Sequence, residues 1–211
     1  MRYNLHPIYS NIEKLYIGIK EGSALKSAAE YAIKTPIVYY GSSITQGCCA
    51  SRPGNTYQSI ISRDLNCDFI NLGFSGNAKG EDTIAQYIAG LNMTVFVYDY
   101  DHNAPTVEHL NDTHEKMFLT VREAHPDLPI LMLSRQKYYL NDEEKKRLAA
   151  VRKTYENALA RGDKNVYMID GPDLLLECVR ETALVDNCHP NDSGFVSMAH
   201  IVGNQLKEIL L

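Results

Sequence analysis

Thr94-Val-Phe-Val-Tyr98 carries no charged residue and no alternation of polar with apolar side chains. A strand with one face in water alternates, whereas a strand covered on both faces reads as a continuous apolar run. Four similar short runs lie around it: Pro36-Ile-Val-Tyr-Tyr40 and Phe69-Ile-Asn-Leu72 upstream, Pro129-Ile-Leu-Met-Leu133 and Val166-Tyr-Met-Ile169 downstream. The segments between them have helical spacing. Tyr57, Ile60, Ile61 and Leu65 share one face of a helix over 55–65, and Ile84, Tyr87, Ile88 and Leu91 mark a second. Leu110, Met117 and Val121 mark a third. Asn141 with Glu144 has the form of a capping box, opening a helix through Leu148, Val151, Tyr155 and Leu159. Phe195, Met198, Val202, Leu206 and Ile209 stripe the last. Strands alternating with helices predict an α/β fold: a three-layer α/β/α doubly wound parallel sheet, flavodoxin-like, with strand order 2-1-3-4-5.

The first thirty-odd residues do not fit this repeat. Leu15-Tyr-Ile-Gly-Ile19 suits an added strand, and Ser23 to Ile33 suits a helix. Residues 1–33 are therefore expected to be an N-terminal extension packed on the sheet, and 34–211 the main domain.

The chain has 211 residues, 45% apolar and 22% charged, which are ordinary globular values and exclude a mainly disordered chain. Its 21 basic and 26 acidic residues give a net charge of −5, without the basic excess that nucleic-acid binding calls for. No apolar run approaches the roughly 20 residues of a membrane span. Met1 to Ser10 lacks an apolar signal core, so a cytoplasmic location is expected. The five cysteines, Cys48, Cys49, Cys67, Cys178 and Cys188, form no CxxC pair. They read as thiols in a reducing compartment.

In a doubly wound sheet, ligands bind beyond the carboxyl ends of the strands. The segments there are Gly41-Ser42-Ser43-Ile44-Thr45-Gln46-Gly47, Gly73-Phe74-Ser75-Gly76-Asn77, Asp99-Tyr100-Asp101-His102-Asn103 and, before the last helix, Asp186-Asn187-Cys188-His189. Each alone is ordinary turn chemistry. A Gly-rich loop opening a helix also suits a phosphate. Together, in this order at one sheet edge, they resemble the blocks of the SGNH hydrolases, the GDSL esterase and lipase family, from about Pro36 to the C-terminus. Ser43 stands in the nucleophile's place of the first block, with Ser42 and Ile44 replacing Asp and Leu. Asn71 to Asn77 resembles the second block, in which Gly76 supplies a backbone N–H. Asp186 and His189 match the DxxH block. The third block, normally GxND, reads Asp101-His102-Asn103-Ala104, with Asn103 alone retained.

The resemblance implies a serine esterase with a Ser43–His189–Asp186 triad and an oxyanion hole of the Ser43 N–H, the Gly76 N–H and the Asn103 amide. The chemistry is coherent. A serine hydroxyl needs a base within hydrogen-bond reach, and an acid three residues before the histidine can reach its second ring nitrogen in a tight turn. Similarity of Gly41–Gly47 with Ala50-Ser51-Arg52-Pro53-Gly54 to a bacterial subgroup containing carbohydrate-type esterases points to short O-acyl esters, such as acetyl, of a carbohydrate or another small alcohol. Arg52, Asp101 and His102 are candidate substrate-binding residues. His102 is also a rival base, though no acid lies three residues before it. Asp99 and Asp101 raise a metal reading, but no second His or Cys at ligand spacing accompanies them, so neither metal nor organic cofactor is expected. The alternatives are a non-catalytic flavodoxin-like module holding a sugar or phosphate, and lysophospholipase, thioesterase or acyltransferase variants of the same site.

Overall fold

The computed structural model describes Tyr9 and residues 13–210. Five parallel strands form one sheet: β1 (Ile33–Gly41), β2 (Cys67–Gly73), β3 (Val95–Asp99), β4 (Ile130–Leu133) and β5 (Val166–Ile169), in the order β2-β1-β3-β4-β5. This is the expected topology. The helices are α1 (Ser43–Gln46), α2 (Tyr57–Leu65), α3 (Asp82–Ala89), α4 (Val107–Ala124), α5 (Asp142–Ala160) and α6 (Asp192–Leu210). Among the described residues, no helix is long and apolar enough to cross a membrane.

The two-residue period of a strand sends successive side chains to opposite faces. Val38, Tyr40, Phe96, Tyr98, Ile130 and Met132 join Ile88 of α3, Leu110, Met117 and Val121 of α4, and Val151 of α5 in one core. Ile37, Tyr39, Val95, Val97, Leu131 and Leu133 join Tyr57 and Ile61 of α2 and Phe195, Met198, Val202 and Leu206 of α6 in the other. Both faces are covered, which is why Val95 to Tyr98 are apolar without alternation and all five residues of β3 are buried.

Several expectations are corrected. β1 begins at Ile33 rather than Pro36, with an irregularity between Ile33 and Ile37. Pro36 has no N–H to give a ladder, and a bulge tolerates it. Its carbonyl still accepts from the Thr94 N–H at 2.9 Å. Leu15–Ile19 adds no strand, and residues 23–32 form no helix. Residues 13–30 are exposed throughout, so that stretch does not pack on the sheet. The sheet faces are already occupied by helices. A helix of about ten residues with no surface to cover is marginal in water. Residues 1–8 and 10–12 lie outside the described part.

The predicted capping box is present. Asn141 Oδ1 accepts from the Glu144 N–H at 2.9 Å, and Glu144 Oε2 accepts from the Asn141 N–H at 2.8 Å. Less expected is His114 of α4, buried in the first core. It stacks on Tyr98 with 4.6 Å between ring centroids and is hydrogen-bonded through Nδ1 to Thr154 Oγ1 at 2.8 Å. Burial holds its pKa down to about 3. Its unfolded value is about 6.5, so between the two the unfolded chain binds the extra proton. The stability this neutral imidazole confers is present above about pH 6.5 and is lost as pH falls toward 3. Urea unfolding at pH 7 and pH 5 should show His114→Gln losing about 2 kcal/mol less than the wild type over that interval. Equal losses in the two proteins would show that His114 does not govern this part of the profile.

Candidate active site

The site forms where β1 meets α1. Gly41 ends the strand between β2 and β3, opposite Gly73 and Asp99. A Cβ on Gly41 would lie 2.2 Å from the Asp99 carbonyl oxygen and 2.2 Å from Thr45 Oγ1, so only glycine permits the chain to turn here. Ser42 caps α1, its Oγ accepting from the Ile44 N–H at 3.2 Å. Ser43 thus becomes the first residue of α1, 9% exposed. That helix is tied down from two sides. The Thr45 carbonyl accepts from Gln58 Nε2 at 2.8 Å and from Asn71 Nδ2 at 2.7 Å.

Before α6 the chain makes a tight turn. Asp186 Oδ1 accepts from the backbone N–H groups of Cys188 (3.1 Å) and His189 (2.7 Å), and Asn187 takes a left-handed φ of 62°. The second oxygen, Oδ2, lies 2.7 Å from His189 Nδ1. The backbone N–H of His189 and then its imidazole hold the Asp186 carboxyl down to about 2, so it is ionised at neutral pH. An ionised partner at Nδ1 fixes the proton there and leaves the Nε2 lone pair free to accept. Ser43 Oγ lies 2.8 Å from Nε2. A hydroxyl, an imidazole and a carboxylate are therefore connected in line, in a geometry that can withdraw the serine proton as the oxygen attacks a carbonyl carbon.

The loop after β2 reaches this edge because the Phe74 N–H donates to the Gly41 carbonyl (2.8 Å) and the Ser75 N–H to Gln46 Oε1 (2.9 Å). Gly76 follows with φ of 72°, a conformation natural to glycine. The loop after β3 is held from α5. Arg147 Nη1 donates to the carbonyls of Asp101 (2.7 Å) and Ala104 (2.8 Å), on either side of Asn103, and Arg147 is itself buried. The loop after β4 braces the histidine turn. Arg135 Nη2 donates to Cys188 Sγ at 3.1 Å, and Gln136 Nε2 donates to the Cys188 carbonyl at 2.6 Å. Gln58, Arg135, Gln136 and Arg147 have no signature in the sequence, since each acts across the fold on a backbone or sulfur atom.

The remaining candidates separate. Arg52 is exposed on the rim. Asp101 and His102 do not line the mouth, because their side chains are only 2% and 4% exposed. Asp101 Oδ2 accepts from the Arg135 N–H at 3.1 Å, and Oδ1 lies 3.5 Å from His102 Nε2. Burial, with Arg135 and His189 nearby, holds the His102 pKa well below its ordinary value. His102 is neutral, and Ser43 is paired with His189 rather than with it. Asp99, at the end of β3, is buried with no hydrogen-bond partner on either carboxyl oxygen. Burial and then the neighbouring Asp101 push its carboxyl well above the ordinary range. Beside His189, an open depression of about 380 Å³ is lined by Cys49, Ser51, Asn191, Asp192 and Ser193. Asp192 pins Ser51 there, accepting from its N–H (2.8 Å) and Oγ (2.6 Å). Folding brings donor atoms together, those of Asp186, Cys188 and His189 and those of Asp99, Asp101 and His102 among them. Cys48, Cys49 and His189, distant in sequence, offer three ligand atoms within 4.8 Å of one another.

Residues 34–207 match the GDSL-like lipase/acylhydrolase family. No curated protein matches the chain. Among solved structures, a candidate GDSL-like lipase from Bacteroides ovatus ATCC 8483 is 34% identical with a TM-score of 0.75, over 84% of this chain and 54% of that one. The salicylyl-acyltransferase of a tetracycline biosynthetic pathway is 20% identical with a TM-score of 0.72, over 87% of this chain and 56% of that one. A family two carbohydrate esterase from Clostridium thermocellum, in complex with cellohexaose, is 16% identical with a TM-score of 0.69, over 88% and 67%. The last two share the fold. The chain spans about half the length of the first two.

The Arg147 brace has a measurable consequence. Arg147→Met leaves the Asp101 and Ala104 carbonyls without their donor, at about 1–3 kcal/mol for each buried group. Urea unfolding should report a loss of about 2–6 kcal/mol. A loss below about 1 kcal/mol would show that the loop holds itself.

Proposed function

The chain belongs to the GDSL-like lipase/acylhydrolase family, and we propose that it is a serine ester hydrolase acting through Ser43, His189 and Asp186. The observation that carries this reading is the unbroken line from Ser43 Oγ to His189 (2.8 Å) to Asp186 (2.7 Å) at the carboxyl edge of the sheet. In the proposed reaction Ser43 Oγ attacks the acyl carbon while His189 Nε2 takes its proton. The carbonyl oxygen becomes an oxyanion, met by the N–H groups of Ser43 and Gly76 and by the Asn103 amide. Collapse expels the alcohol, which receives the proton from His189. Water then attacks the acyl-enzyme and gives a proton to His189, and as the intermediate collapses His189 passes that proton to Ser43 Oγ, releasing the acid and free Ser43. Asp186 stays ionised throughout and stabilises the imidazolium. An alcohol in place of that water would make the same site an acyltransferase.

The substrate class we propose is a short acyl ester, such as acetyl, of a carbohydrate or another small polyhydroxy alcohol. The depression beside His189 is shallow and carries the polar residues Ser51, Asn191, Asp192 and Ser193 in its wall, with Arg52 exposed next to Ser51. Hydroxyl groups find partners on such a surface, whereas each acyl methylene that meets no apolar wall forgoes up to about 0.8 kcal/mol of burial. The fold shared with a carbohydrate esterase in complex with cellohexaose agrees with this class. The working unit we propose is 34–211, with 1–33 as an extension of it.

An ester panel from acetyl to octanoyl, on a sugar and on a simple alcohol, tests the reading. kcat/KM should be highest for acetyl and should fall along the series, and Ser43→Ala should abolish turnover. Rates that climb steadily to octanoyl would favour a lipid substrate. Asn103→Ala should lower kcat by about 10²–10³ with little change in KM, because its amide would engage the oxyanion more strongly than the ground-state carbonyl. A loss under about threefold would remove Asn103 from the oxyanion hole.

A further inference from the structure

The proposed chemistry leaves Cys48 and Cys49 unused, yet the fold aims both at the catalytic edge. α1 ends at Gly47, and the Cys48 N–H donates to the Ser43 carbonyl at 2.8 Å, turning the chain back beside Ser43. Cys49 then adopts a left-handed φ of 69°, uncommon for a residue with a Cβ. Adjacent side chains of an extended chain point apart. Here the two sulfurs converge to 3.6 Å, and a ring nitrogen of His189 lies within 4.8 Å of them. Donor atoms about 3.5–3.8 Å apart are what a tetrahedral zinc ion holds, given Zn–S near 2.3 Å and Zn–N near 2.0–2.1 Å. Two thiolates and an imidazole form a soft donor set, unsuited to magnesium or calcium. Asp186 already occupies His189 Nδ1, the arrangement in which a carboxylate orients a metal-binding histidine, so Nε2 is the atom left to coordinate.

We propose that Cys48, Cys49 and His189 form a site for a thiophilic divalent cation of the zinc class, and that the bound ion switches hydrolysis off by occupying the Nε2 lone pair that would receive the Ser43 proton. Coordination displaces the two S–H protons to solvent, so two thiolates balance the charge of the ion. A solvent molecule completes the tetrahedron. The switch rests on the triad reading, whereas the cation site does not.

The experiment uses the reduced, metal-free full chain titrated with Co²⁺ alone, whose thiolate charge-transfer absorption reports sulfur ligation without reference to activity. Wild type and Ser43→Ala should both develop that band and saturate at one ion per chain. Cys48→Ser/Cys49→Ser should show no band, and the single exposed change Cys49→Ser should weaken binding at least about tenfold. In parallel, Zn²⁺ should lower wild-type ester hydrolysis at least about tenfold, with recovery in chelator. The double variant, shown to be folded by a cooperative urea transition, should lose less than about twofold of its own zinc-free rate. No band in the wild type, or an equal band in the double variant, would overturn the site. A band with hydrolysis indifferent to Zn²⁺, or inhibition equal in the double variant, would overturn the switch. Should Ser43→Ala hydrolyse esters like the wild type, the triad reading would fail and the switch with it, whatever the band.

Discussion

A single 2.8 Å hydrogen bond joins Ser43 to His189, a residue 146 positions later, and the usefulness of the whole carboxyl edge depends on it. Neither partner sits on a long rigid element. Ser43 opens a helix of four residues, and His189 lies in a turn before α6. A bond of this kind weakens steeply with misalignment, so both loops have to be held to a few tenths of an ångström. The fold does this with backbone acceptors. The Thr45 carbonyl is gripped by Gln58 and Asn71, and the Cys188 carbonyl by Gln136. Asp186 contributes twice. One oxygen folds its own turn through two backbone N–H groups, and the other orients the imidazole. The residue that fixes the tautomer of His189 is thus also the residue that makes the turn.

Beneath this edge the interior is unusually polar. Asp99, Asp101 and His102 are packed together with the side chains of Arg135 and Arg147 nearby. Burial pushes the Asp101 carboxyl up to about 6, and burial with the neighbouring Asp101 pushes the Asp99 carboxyl well above the ordinary range. The neutral forms of Asp99 and His102 avoid isolated buried charges there. Arg147 turns this polar layer to use by clamping the carbonyls on both sides of Asn103.

The sheet was legible in the sequence because burial on both faces removes alternation, and Thr94–Tyr98 and Pro129–Leu133 show that directly. The helix stripes follow from their own period of about 3.6 residues, and the strand order from the common doubly wound arrangement. That Ser43, Asp186 and His189 would meet at one edge was legible as well, since each falls just beyond a strand or before the last helix, while the roles given to them came from the family resemblance. What was not legible is non-local. α1 is too short to show a period. The braces Gln58, Arg135, Gln136 and Arg147 act on atoms that sequence spacing does not bring near them. Asp101 and His102 read as candidate substrate-binding residues, yet the clamp on their loop draws them inside. The helix-like Ser23 to Ile33 segment erred the other way, because helical composition without a surface to cover does not make a helix.

The most direct test of the central claim is active-site labelling with a fluorophosphonate, followed by peptide mass spectrometry, in wild type and His189→Ala. The account predicts one adduct per chain, on Ser43 Oγ, formed at least about 10²-fold more slowly once the base is gone. An adduct on Ser42, no adduct at all, or labelling indifferent to His189 would contradict it.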